Sequence, residues 1–72
     1  METLAVFKSR SDAMRFYKLL LQRKIRCYTV NTPSTLRAGC GVSVVFNSSN
    51  QVIVTSIIRQ NKFNSFIGFY SK

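Results

Sequence analysis

A capped amphipathic helix between two strand-like segments constrains the fold of this 72-residue chain more than any other feature. Ser9 and Asp12 form the capping pattern Ser-x-x-Asp, and the helix is expected to run to about Lys24. Basic Arg23 and Lys24 would lie in the last turn, where the helix dipole favours cations. The apolar residues recur at helical spacing and form one stripe, made of Ala13, Phe16, Tyr17, Leu20 and Leu21.

Four other segments have the composition of β-strands. They are residues 3–8, 25–30, 41–46 and the aromatic stretch 63–70. In the second of them, alternation places Ile25, Cys27 and Thr29 on one face. Arg26, Tyr28 and Val30 share the opposite face.

A second helix is predicted between the third and fourth strands. Ser48 and Gln51 repeat the capping pattern, and Ile53, Val54, Ile57 and Ile58 follow at helical spacing. A strand is the competing interpretation, because residues 51–58 are rich in β-branched side chains. The cap and the intervening polar residues favour the helix, which Asn61 could end in a left-handed turn.

The resulting order, β-α-β-β-α-β, predicts an α+β fold of the ferredoxin-like type over one domain, residues 1–72. Both helices would cover one face of a four-stranded antiparallel sheet. The other face could display Tyr28, Ile67 and Phe69, which would suggest a homodimer formed through it. Alternatively, these are edge and end residues with no such role.

The composition excludes most enzyme chemistry. The chain has no His, one Glu and one Asp, so it cannot form a His-based triad, a pair of catalytic carboxylates or a metal site on its own. We therefore expect no catalytic residues, no cofactor and no metal. The apolar runs are too short for a signal peptide or a membrane span, which predicts a cytoplasmic protein with reduced thiols.

The net charge of +9 predicts attraction to anions, whether nucleic acid, acidic proteins or phosphates. A role in solubility alone is equally compatible with it. A nucleic-acid-binding module using the open sheet face is one alternative function, although no RNP signature is present. An interaction or dimerisation module is another.

The two cysteines have different surroundings. Cys27 lies within a strand and is typical of a small buried hydrophobic residue. Cys40 stands between Gly39 and Gly41 in a loop that Pro33 opens, too far from Cys27 along the strand ladder for a disulfide. The glycines permit unusual backbone angles and close approach by another molecule.

Arg37 and the backbone N–H groups of this loop would favour a thiolate at Cys40. A glycine-rich turn with an incidental cysteine is the alternative interpretation.

Three stretches, AVFKSRSDAMRFYKLLLQRKIRC, TPSTLRAGCGVSV and FIGFYSK, resemble the selenium/sulfur carrier-like family of small bacterial proteins. The resemblance covers nearly the whole chain, and its specific part is a proline-led loop ending in Cys-Gly. It implies that Cys40 holds sulfur or selenium, as a persulfide or selenosulfide, between donor and acceptor proteins. The positions that match the motif are Pro33, Gly39, Cys40 and Gly41.

The chain also departs from the family pattern. Ser34 occupies the position after the proline where the family has Arg, and Arg37 stands where the family commonly has Ser. The strong positive charge is likewise not expected from the family. An anion-binding role of the family's Arg would be either lost here or moved to Arg37.

Overall fold

The computed structural model describes residues 1–36, 39 and 41–72. The strands are β1 (Glu2–Phe7), β2 (Cys27–Asn31), β3 (Val42–Asn47) and β4 (Phe66–Ser71). The helices are α1 (Arg10–Gln22) and α2 (Gln51–Gln60), with short 3-10 helices at Ser34–Leu36 and Ser48–Asn50. The sheet order is β2-β3-β1-β4 and every neighbouring pair is antiparallel, which confirms the predicted ferredoxin-like fold.

The main core lies between the two helices and one face of the sheet. The ring of Phe7 is at its centre, with its centroid 5.1 Å from that of Phe16, 5.6 Å from Phe63 and 5.4 Å from Phe66. Such tilted and edge-on contacts are favourable for aromatic rings. The other buried residues of this core are Ala5, Ala13, Leu20, Ile25, Val44, Phe46, Val54 and Ile57.

Helix α1 begins as predicted and ends earlier. Ser9 is the N-cap, and its hydroxyl accepts a hydrogen bond from the backbone N–H of Asp12 at 3.3 Å. The prediction that Arg23 and Lys24 lie in the last turn is wrong, because the helix stops at Gln22. Lys24 takes φ of 60°, and the N–H of Ile25 reaches back to the carbonyl of Leu20 at 2.9 Å, which is a Schellman ending.

Helix α2 is confirmed as a helix and ends at Asn61 as predicted, but the predicted N-cap and the left-handed conformation of Asn61 are wrong. Ser48 does not cap it: the Asn47 side chain accepts from Ser49 N at 2.9 Å and starts a 3-10 turn instead. Asn61 has φ of −107° and is therefore not left-handed. The residue with a left-handed backbone is Lys62, with φ of 49°. The Asn61 side chain donates to the carbonyl of Ile57 at 2.8 Å, which also satisfies the helix end.

The face of the sheet opposite the helices carries a second, smaller core of Leu4, Val6 and Val45. The expectation that Phe69 belongs to this face is wrong, since Phe69 packs against the helix-side core, 5.7 Å from Phe46. The cause is a β-bulge: Val6 pairs with Gly68 and Phe7 with Phe66, so Ile67 is an extra residue in β4. Because of this extra residue, the side chains of Ile67 and Phe69 lie on opposite faces of the sheet instead of on the same face.

Candidate functional site

The loop between β2 and β3, residues 32–41, is called the cysteine loop below. Its base is closed by a hydrogen bond from Thr32 N to the carbonyl of Gly41 at 2.9 Å. The hydroxyl groups of Thr32 and Ser43 lie 2.6 Å apart beside it. Pro33 is exposed and opens the 3-10 turn, because its carbonyl accepts from Leu36 N at 3.0 Å. The loop therefore continues the β2–β3 ladder before it leaves the sheet.

Leu36 anchors the cysteine loop to the sheet. Its side chain packs against the second core, and Leu4, Val6 and Val45 are only 0–2% exposed although neither α1 nor α2 packs on that cluster. The face expected to be open is thus covered at its centre by the protein's own residues. Of the residues expected there, Tyr28 is exposed and Ile67 is half-buried.

Gly39 and Gly41 both have a left-handed backbone, with φ of 85° and 89°. Their surroundings differ. A Cβ on Gly39 would lie 2.8 Å from the carbonyl oxygen of Phe7 and 2.9 Å from the Cγ1 of Val6, whereas a Cβ on Gly41 would meet nothing within 4 Å. The expected backbone freedom is confirmed at both positions. Gly39 is also required because the loop touches strand β1 there.

Two of the predicted site residues, Arg37 and Cys40, lie outside the described residues. The described residues of the loop on either side of them are called the frame of the cysteine loop. Pro33 and Leu36 precede position 37, and Gly39 and Gly41 flank position 40. Gly39 and Gly41 are both solvent-exposed.

Cys27 has the features of a structural thiol. It is half-buried at the edge of the main core, and its Sγ lies 3.8 Å from the carbonyl oxygen of Tyr17, to which it donates. Burial raises the pKa of the Cys27 thiol, so the thiolate is disfavoured. It is a free cysteine that pairs with Phe46 in the ladder, about 17 Å along β2 from Thr32 at the usual strand rise.

Both side-chain carboxylates of the chain are engaged in structural contacts. Glu2 accepts from the hydroxyl of Tyr28 at 2.9 Å and from Lys72 Nζ at 3.3 Å, and these contacts lower its pKa. Asp12 accepts from the hydroxyl of Ser65 at 2.7 Å, which is the main reason that its pKa is lowered. Neither carboxylate lies free as a general acid or base.

Two features are absent from residues 1–36, 39 and 41–72. No group of His, Cys, Asp or Glu side chains there could hold a metal ion. No helix there is both long and apolar enough to cross a bilayer.

The sequence interpretation missed the residues that fix the loop in place. Leu36 is a large apolar side chain in an otherwise small and polar loop, which is a signal that it packs on something. The hydroxyls of Thr32 and Ser43 gave no such signal, since Ser and Thr are common in exposed loops. Their pairing depends on the register of β2 with β3.

Comparison with known protein families identifies the family to which the chain belongs. Residues 2–70 match the family described as "Putative Se/S carrier protein-like". No curated protein and no solved structure matches the chain. Because the match extends over nearly the whole chain, including both sheet edges and the cysteine loop, the protein belongs to this selenium/sulfur carrier-like family.

Proposed function

We propose that the protein is a sulfur or selenium carrier and that Cys40 is the residue that carries the atom. The observation that carries this proposal is family membership over residues 2–70. The frame of the cysteine loop supports it, because the two residues flanking Cys40 have no side chains and are exposed. The alternative thiol, Cys27, is half-buried and has a raised pKa.

The proposed loading step is a transpersulfidation. The Cys40 thiolate attacks the terminal sulfur of a donor persulfide, a new S–S bond forms to Cys40, and the donor cysteine leaves as a thiolate. The same attack on the selenium of a selenosulfide would load selenium. No external oxidant or reductant is consumed, since one chalcogen–sulfur bond replaces another. Delivery is the reverse step, in which an acceptor thiolate takes the terminal atom and releases Cys40.

Such a carrier needs no catalytic groups of its own, and we propose that this protein is not an enzyme. The chain has no His, and its Glu and Asp are held by Lys72, Tyr28, Arg15 and Ser65. Proton transfers and activation of the donor would be performed by partner proteins. The charge of +9 would favour encounters with acidic partner surfaces.

The two alternative functions have less support. Stacking of bases requires exposed aromatic residues at the centre of the open face, and the residues there, Leu4, Val6 and Val45, are buried and aliphatic, with Val30, Leu36, Ile67 and Tyr70 packed against them. Because Leu4, Val6 and Val45 are already buried, a dimer through this face would gain nothing from covering them.

The test is sulfur loading by intact mass. The protein is incubated with a cysteine desulfurase and cysteine, in parallel with Cys27→Ser and Cys40→Ser variants. We expect wild type and Cys27→Ser to become heavier by one sulfur atom that a reductant removes, and Cys40→Ser to remain unchanged. Equal loading of Cys40→Ser, or no loading of Cys27→Ser under conditions where the desulfurase is active, would contradict the proposal.

A further inference from the structure

Strand β2 forms one edge of the sheet and, within the described residues, pairs only with β3. None of its five residues is buried. Its ladder runs in continuous register from Cys27 opposite Phe46 to Asn31 opposite Val42, whereas the other edge strand, β4, carries the bulge at Ile67. A regular edge presents N–H and C=O groups to a further strand, and a bulge hinders such pairing. The edge available for strand addition is therefore β2.

Two open grooves border β2 along its whole length. The first, of about 490 Å³, is lined by Arg26, Cys27 and Tyr28 together with residues of β1, β3 and α1. The second, of about 440 Å³, is lined by residues 29–31 together with Arg10 and neighbouring side chains of α1 and β3. An extended segment lying along β2 would contact both grooves, with one arginine at each.

The charges of these grooves favour an acidic occupant. Among the described residues, neither Arg10 nor Arg26 has a carboxylate partner. Glu2 also borders the first groove, but Lys72 and the Tyr28 hydroxyl already bind its carboxylate. Carboxylates brought in by another molecule would thus meet, in each groove, a guanidinium group without a carboxylate partner among the described residues, and guanidinium groups bind carboxylates well.

We propose that the β2 edge binds an extended acidic segment of a partner protein, which adds to the sheet as a fifth strand. The second groove ends at Asn31 and Val42, next to Gly41 of the cysteine loop. The identity of this partner rests on the proposed function. If Cys40 carries sulfur, the segment belongs to a sulfur donor or acceptor, which must reach Cys40. Strand addition would hold the partner beside the loop through backbone hydrogen bonds, and the arginines would select acidic sequences.

A second copy of this chain is a poor occupant. Its Glu and Asp are engaged within each copy, and each copy carries a charge of +9. A nucleic acid is also disfavoured, because it lacks the regular N–H and C=O groups that pair with a strand edge.

The probe is a fluorescein-labelled heptapeptide of alternating Glu and Val, titrated into the full-length protein by anisotropy and by amide NMR shifts. We expect saturable binding, with the largest shifts in residues 27–31, and no binding of the matching Lys–Val peptide. Two N-methylated versions, modified either at every Val or at every Glu, test the hydrogen bonding. In a strand these two sets of N–H groups point to opposite edges, so one version should lose binding and the other should keep it.

Matched variants test the arginines. Arg10 lies on the helix-covered face of the sheet and Arg26 on the opposite face, so the Glu side chains of an alternating peptide, which share one face, can contact only one of these arginines. One of the two variants, Arg10→Ser or Arg26→Ser, should therefore weaken peptide binding about fivefold, the effect of losing an ion pair of about 1 kcal/mol, and the other should not. Arg59→Ser, an exposed arginine on α2 that borders neither groove, should leave binding unchanged. Cys40→Ser should also bind normally, so the result is independent of whether Cys40 carries sulfur.

Three results would overturn the inference. In one, both N-methylated peptides bind as well as the parent peptide. In another, shifts in residues 27–31 are produced by an oligothymidylate and not by the acidic peptide. In the third, the protein dimerises through β2 at the concentrations used, and the peptide does not compete with the dimer.

Discussion

At the scale of single residues, Gly39 and Gly41 share a backbone conformation but have different reasons to be glycine. Both have positive φ, which costs a non-glycine residue about 1–2 kcal/mol. Gly39 additionally lies against strand β1, where the carbonyl of Phe7 and the side chain of Val6 leave no space for a Cβ. Gly39 thus allows the cysteine loop to approach strand β1 closely, whereas Gly41 only permits the loop to turn.

This difference predicts unequal effects of two identical substitutions. Gly41→Ala should lower the free energy of unfolding by about 1 kcal/mol, from backbone strain alone. Gly39→Ala should lower it by about 2–4 kcal/mol, because the methyl group also forces the loop away from β1. Urea denaturation of both variants and wild type measures the two values. Equal losses would show that the contact of Gly39 with β1 does not stabilise the fold.

At the scale of elements, the start of α1 is tied to the entry of β4. Ser9 caps the helix, but Asp12 does not reach back to the Ser9 N–H as in a reciprocal capping box. That N–H donates instead to the Ser65 hydroxyl at 3.2 Å, and Asp12 accepts from Ser65. Ser65 therefore connects residues that are distant in sequence, and it could not be identified from the local pattern.

The Asp12 carboxylate predicts a dependence of stability on acid. Its pKa is lowered in the folded state, chiefly by the Ser65 hydroxyl, so the ionised form stabilises the fold. This contribution is complete above the unfolded-state pKa of about 3.9 and is lost as the pH falls through the lower folded-state value.

Asp12→Asn should be less stable than wild type at pH 6 and should lose less stability on acidification. Thermal unfolding of both proteins between pH 6 and pH 2 measures this, with Glu2→Gln as the control for the other carboxylate. Parallel curves for wild type and Asp12→Asn would contradict the proposed role of the Asp12–Ser65 contact.

The order of the elements could be predicted from sequence, because each helix has an apolar stripe and each strand a β-rich composition. Competing local patterns prevented prediction of some boundaries. Asn47, immediately before Ser48, caps a 3-10 turn that precedes α2. In β4, the alternation of Ile67 and Phe69 gave no sign of a bulge, since the bulge is fixed by pairing with β1.

At the scale of the whole molecule, sequence predicted the fold and its family but not the cover on the second sheet face. That cover depends on a loop returning across the sheet so that Leu36 meets Leu4, Val6 and Val45. Contacts between residues so distant in sequence leave no periodic pattern. The excess of positive charge was evident from composition. That Arg10 and Arg26, which have no carboxylate partner in the described part of the chain, both border β2 became apparent only when the strand order was known.

The most direct test of the division of roles between the two thiols is their rate of alkylation by iodoacetamide across pH 5 to 9. Each thiol is followed alone, in the Cys27→Ser and Cys40→Ser variants, by intact mass. We predict that Cys40 is labelled faster and at lower pH, and that Cys27 is labelled slowly until the protein unfolds in urea, because burial raises its pKa. If Cys27 is labelled as fast as Cys40 in the folded protein, or Cys40 becomes reactive only on unfolding, then Cys40 is not the displayed thiol and the carrier proposal fails.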